Sequence, residues 1–257
     1  MYPILARYGP FFLYSFTVVL SIGIAAALGL AAYRARRLKV DAAWLDTFLA
    51  GLAAALISGR VGFVWLEWTY FQVRPYQILQ IWRGGLTYHG ALVGGLLGMW
   101  VWCAWRKRPF LWDADLLAPS LVLLNAFGWL ACWLDGCGYG RIAPVGSILA
   151  ANLPDNLGIY DWRYQTQLLG VGLSLLTFIL ILVRARRGQT FTIALLAVSV
   201  GRIGVDWLRG NTAVLIHTIR LDLLLDTALA ILSLILLQYS QMQRTKSSIV
   251  KHQSKIK

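Results

Sequence analysis

The sequence predicts an all-α integral membrane protein of seven transmembrane helices, with the amino terminus outside and the carboxyl terminus in the cytoplasm. Three observations carry that expectation. Of 257 residues, 58% are hydrophobic and 14% charged, and the mean hydropathy is +0.63, too apolar for an ordinary soluble domain. Seven apolar runs approach the ~20 residues that a helix needs to cross the hydrocarbon core. Finally, Lys and Arg divide unequally between the connections on the two sides.

The first run, 11–32, has no small-residue cleavage site behind a short apolar core, so it reads as a retained helix and not a leader. Arg34, Arg36, Arg37 and Lys39 follow it. The second run, 42–65, carries Ser58, Gly59 and Arg60. After it, residues 71–85 mix Tyr76, Ile78, Leu79, Ile81 and Trp82 with polar groups, which suits a segment lying in the membrane interface. Runs 86–105 and 116–134 flank Arg106, Lys107 and Arg108, and the connection 136–162 is rich in Gly, Pro and Asn. Each long connection reads either as a surface connector or as the lid and lip of a site opening outward. Runs 164–183 and 191–208 flank Arg184, Arg186 and Arg187, and 221–239 leads into a basic tail. Residues 1–240 thus read as one polytopic transmembrane domain and 241–257 as a cytoplasmic tail.

Fifteen of the 24 Lys and Arg fall on one side of these runs, and seven, all Arg, on the other. The positive-inside rule places the fifteen in the cytoplasm. This distribution assigns the net charge of +13 to topology, and no nucleic-acid partner is expected. Trp65, Trp68, Tyr70, Trp82, Trp105, Trp112 and Trp162 sit near the ends of runs, as an interfacial aromatic belt requires. Three Cys are too few for a disulfide framework. Cys103 reads as core packing; Cys132 and Cys137 bridge only if the helix breaks at Gly136. No metal site and no cofactor is expected.

An ionisable group in hydrocarbon costs a few kcal/mol, so each one in a run needs a partner or a purpose. Arg60 lies two helical turns from Glu67, which offers a structural ion pair. His89 sits in Gly84-Gly85-Leu86-Thr87-Tyr88-His89-Gly90, at the outer end of its run. It reads as a satisfied polar residue or as a base. Gly90, Gly94, Gly95 and Gly98 admit a neighbouring helix or a lipid chain. Arg202, Asp206 and Arg209 are spaced four and then three apart, on one helix face. They form either a structural pair with a spare arginine or a net-positive phosphate site. Asp135-Gly136-Cys137-Gly138-Tyr139-Gly140-Arg141 ends the fourth run in a glycine-rich turn, which suits an anion nest or simple helix termination.

Together these blocks resemble the prolipoprotein diacylglyceryl transferases, seven-helix enzymes of the bacterial inner membrane. The resemblance rests on Gly9-Pro10 before Tyr14-Ser15-Phe16, Ser58-Gly59-Arg60-Val61-Gly62, the Gly84–Gly90 and Gly136–Arg141 blocks, and Gly201-Arg202 through Arg209. It implies transfer of the diacylglyceryl group of phosphatidylglycerol to the lipobox cysteine thiol of a preprolipoprotein. It further implies His89 as base or proton relay, Arg202 with Arg141 holding the phosphate, and Asp206 orienting Arg202. Arg60, Tyr88, Gly90, Gly140 and Arg209 would complete the substrate site, with membrane lipids around it. Six positions depart from the family pattern: Trp129 stands for an arginine, Cys132 for an asparagine, Phe16 for a tyrosine, Thr17 for a glycine, Leu169 for a tyrosine and Gly170 for a glutamate. A second reading follows from them, a non-catalytic relative that binds phospholipid or lipoprotein signal peptides.

Overall fold

The computed structural model describes residues 2–256 except 10, 156, 185–187, 211–214 and 217–218. Pro10, the basic residues expected at 186 and 187, and the side chains of the tail after Gln241 lie outside the described residues.

A hairpin of β1 (Ile4–Tyr8) and β2 (Phe11–Tyr14) leads into α1 (Ser15–Leu38). Then come α2 (Ala43–Leu66), the single turn α3 (Trp68–Phe71), two 3-10 turns (Pro75–Gln77 and Ile81–Arg83), α4 (Tyr88–Trp105) and α5 (Phe110–Asp135). A second antiparallel hairpin, β3 (Ala150–Pro154) with β4 (Tyr160–Tyr164), precedes α6 (Thr166–Arg184) and α7 (Thr190–Asp206). The short pair β5 (Leu215–Ile216) and β6 (Ile219–Arg220) turns the chain into α8 (Leu221–Ile256).

Each of the seven apolar runs forms a helix over most of its length, because a chain in lipid must satisfy its backbone N–H and C=O groups within each segment. Five helices, α1, α2, α5, α6 and α8 through Gln241, are long and apolar enough to cross a membrane. This is a multi-pass membrane protein. The other two are shorter or more polar: α7 has 17 residues and carries Arg202 and Asp206, and α4 opens on Tyr88 and His89 and holds three Trp among 18 residues. None of the hairpins was expected. The first takes residues assigned to the first span, so α1 begins at Ser15 instead of residue 11.

The two ends of the bundle differ in character. At one, Arg108 joins Asp41 (3.0 Å) and the buried Asp113 (3.2 Å), while Asp115 accepts the backbone N–H groups of Gly188 and Phe191 at the start of α7. Adjacent to this end lies the main apolar core, where Ala27, Ala31, Trp44, Phe48, Met99, Leu117 and Phe191 are buried. The other end gathers the three hairpins and the 67–87 connection. There Tyr2 N–H bonds Leu134 C=O at 2.9 Å, and Arg141 N–H bonds Leu208 C=O at 2.8 Å. On the outer surface Ile57, Leu97, Val101, Ile179 and Ile235 are all exposed, the apolar face that lipid covers.

Candidate active site

Three helices converge beneath the hairpin end. Thr87 N–H bonds Gly59 C=O at 3.0 Å, which starts α4 against α2 and directs His89 inward, where it is buried. From α8, two carboxylates one turn apart straddle the imidazole. Asp222 Oδ1 lies 3.4 Å from His89 Nδ1 and Asp226 Oδ1 lies 3.0 Å from Nε2. Asp226, fully buried, reaches with its other oxygen to 3.3 Å from Arg202 Nε on α7. The Arg202 guanidinium lies over the Tyr88 ring at 3.5 Å and 5.1 Å from the Trp129 ring, a cation–π arrangement that is strong where water is excluded. Asp206, one turn on from Arg202, pairs with Arg209 (3.0 Å), which also approaches Asp222 (3.6 Å). Arg220 lies 3.7 Å from Asp222. Three arginines therefore face three aspartates around one histidine.

The floor of the hairpin end is tied to this cluster through backbone. Gly136 ends α5 in the left-handed region (φ 95°), and across that break Cys132 and Cys137 form a disulfide. Thr166 Oγ1 donates to Gly138 C=O at 2.7 Å and Gln167 Nε2 to Cys137 C=O at 3.0 Å, anchoring the turn on α6. A side chain at Gly140 would strike the Tyr164 backbone; its absence lets Gly140 bridge to Arg209. The turn thus borders Arg209, and the glycines serve close backbone approach.

A family model described as prolipoprotein diacylglyceryl transferase matches residues 3–239. The chain belongs to that family. Curated relatives named phosphatidylglycerol–prolipoprotein diacylglyceryl transferase include that of Symbiobacterium thermophilum, 30% identical, with 92% of each chain covered. That of Bacillus velezensis is 27% identical (94% of this chain, 93% of the relative), and that of Limosilactobacillus reuteri 26% (91% and 90%).

Within this transferase-family chain, His89, Tyr88, Arg202, Asp206 and Arg209 come together, whereas Arg60, Gly90 and Arg141 sit apart. Arg60 does not meet Glu67. Its guanidinium donates to the carbonyls of Gln77 (2.7 Å), Ile78 (2.8 Å), Gly84 (2.8 Å) and Gly85 (3.0 Å), and lies 5.2 Å from the Phe71 ring. Gly90 faces α2: a Cβ there would stand 2.8 Å from Ser58 C=O. Arg141 is exposed, its guanidinium 5.8 Å from the Tyr164 ring. Asp206 pairs with Arg209, and Arg202 turns instead to Asp226, so the expected net-positive face is balanced by α8. Sequence reasoning missed Asp222, Asp226 and Arg220. The two aspartates carried the same signal as Arg202, acidic groups four apart opening an apolar run.

Two departures from the family pattern prove to be one. The Trp129 ring lies directly on Gly170, in the space a Cβ there would take. Where the resemblance led to the expectation of an arginine and a glutamate, this chain carries an indole in a glycine notch. The exchange removes both charges at once, leaving neither stranded.

Proposed function

We propose that this chain is a phosphatidylglycerol–prolipoprotein diacylglyceryl transferase of the bacterial inner membrane, with seven spans, the amino terminus outside and the site at the outer face. The single observation that carries the reading is the His89–Asp226–Arg202 constellation in a chain of this family. Support for the orientation comes from the fifteen Lys and Arg that the sequence groups in the tail and in the connections other than those that carry the hairpins. Residues 1–240 form the polytopic domain, followed by a basic cytoplasmic tail.

In the reaction, the thiol sulfur of the lipobox cysteine attacks the glyceryl carbon that bears the phosphate. The S–C bond forms and the C–O bond breaks, its electron pair leaving on the phosphate oxygen of glycerol phosphate. A thiol attacks as thiolate, so His89 takes the proton. Arg202, packed under Tyr88 and Trp129, offsets charge on the departing phosphate, with Arg209 beside it. Arg60 holds the 77–85 connection by its carbonyls and acts on substrate only through that segment. The exposed Trp82 and Leu79 of this segment suit an interfacial lip over the lipid.

The Trp129–Gly170 exchange favours a second reading, a relative that binds lipid or signal peptide without turnover, because it takes a guanidinium and a carboxylate from beside Arg202. Complementation separates the two. A strain depleted of its own transferase, expressing this chain, should lipidate a model preprolipoprotein, and Arg202→Ala should abolish that lipidation. Correct membrane insertion with no lipidation by the wild-type chain would establish the binding-only reading.

A further inference from the structure

We propose that Asp226 is the positioning residue of the site: its buried carboxylate fixes the tautomer of His89 with one oxygen and the orientation of Arg202 with the other. Asp226 Oδ1 and His89 Nε2 are both closed to solvent, and neither is aligned for a hydrogen bond with any described residue. At 3.0 Å the two heavy atoms are at hydrogen-bond separation, yet a nitrogen lone pair facing a carboxylate oxygen would be repulsive. One proton on Nε2 and a small turn of the ring into line satisfy both buried atoms at once: Nε2–H then donates to Asp226 Oδ1. A neutral imidazole has a single N–H; the Asp222 oxygen is farther off, 3.4 Å from Nδ1, and Asp222 is part-exposed and offset by Arg209 and Arg220, so the proton stays on Nε2 and Nδ1 is left as the acceptor.

Nδ1 is the nitrogen on the open side. It faces Asp222, whose side chain is 28% exposed, whereas that of Asp226 is at 0%. The ring therefore stands between an outer and an inner carboxylate, with its basic nitrogen toward the side from which a thiol arrives. A buried acid that orients a base through the far ring nitrogen is the logic of nucleophile-activating triads. Asp226 adds a second duty, because its Oδ2 lies 3.3 Å from Arg202 Nε. One carboxylate thereby sets the distance between the group that takes the proton and the group that holds the phosphate. The other groups against the ring are Tyr88 on α4, edge to face at 5.1 Å, and the guanidinium of Arg202 on α7. Neither of them presents a buried carboxylate oxygen to Nε2.

The kinetic consequence rests on the transferase reading; the tautomer does not. His89 is one of three histidines, so full-length protein carrying His217→Gln and His252→Gln, labelled with 15N-histidine in lipid nanodiscs, reports on His89 alone. Protonated Nε2 with acceptor Nδ1 is expected. Asp226→Asn should mix or invert the tautomers, while Asp222→Asn should keep Nε2 protonated. An Nδ1-protonated ring in the parent, or one unchanged by Asp226→Asn, overturns the proposal whether or not the protein turns over. In lipidation assays with purified protein, Asp226→Asn should lower kcat roughly 100-fold or more, with Asp226→Glu recovering part of the loss. Equal activity of Asp226→Asn and wild type also overturns it. Inactive wild-type protein with the expected tautomer would sink the transferase reading and leave Asp226 in place.

Discussion

Arg60 and Asp155 show how single side chains set the shape of the hairpin end. The Arg60 guanidinium is buried with carbonyl partners in the 77–85 segment, and hydrogen bonds to a charged donor contribute more than neutral ones. Arg60→Ala should therefore cost about 3 kcal/mol, seen as a lower apparent Tm in detergent. Arg60→Lys, which keeps the charge but not the planar fork, should recover only part of it. On the β3–β4 hairpin, Asp155 accepts from Ile159 N–H (3.0 Å) and Leu157 N–H (2.9 Å) and pairs with Arg163 (3.0 Å). These backbone donors foremost, with the Arg163 guanidinium, hold its carboxyl below the usual carboxylate range. A depressed carboxylate stabilises the folded state above its unfolded value and loses that contribution as pH falls through the folded one. Amide exchange protection of 150–164 should accordingly be level near neutral pH and fall on acidification below pH ~4. Asp155→Asn should flatten that response.

At the scale of elements, small residues decide which helices meet. Gly94 and Gly98 face Ser58 and Ala54 so closely that a Cβ at either would overlap them, and one at Gly95 would stand only 3.1 Å from Ala55 Cβ. Close helix approach through small residues is a main source of association in lipid. Gly98→Leu should separate α2 from α4 and cost about 1–3 kcal/mol, read as earlier aggregation on heating. Because α4 positions His89, activity should fall with it. A different device starts α7, whose first N–H groups are met by the Asp115 carboxylate of α5. Asp115→Ala should cost about 1 kcal/mol and raise amide exchange at 188–193.

Across the whole molecule, apolar packing and polar chemistry are divided between the two ends. Ala27, Phe48, Leu117 and Phe191 fill one half, leaving the His89 cluster, the disulfide and the hairpins in the other. Should the hairpin end face outward, a cysteine at the exposed Ile148 in a background lacking the other three will react with impermeant maleimide in intact spheroplasts. One at Asp41 will react only after lysis. The reverse pattern would invert the topology. By itself the sequence determined the helical runs, the lateral segregation of positive charge and the family, because apolar length, charge and local motifs are properties of contiguous residues. It also contained His89, Arg202 and Arg209. Only the tertiary structure decided who partners whom. Asp226 is 137 positions beyond His89, and no helical period links them. Arg60 chose loop carbonyls over Glu67 because the 77–85 connection folds back over it. Trp129 and Gly170 became one feature only when α5 met α6, for contact across helices depends on packing distance and direction, which no local spacing encodes.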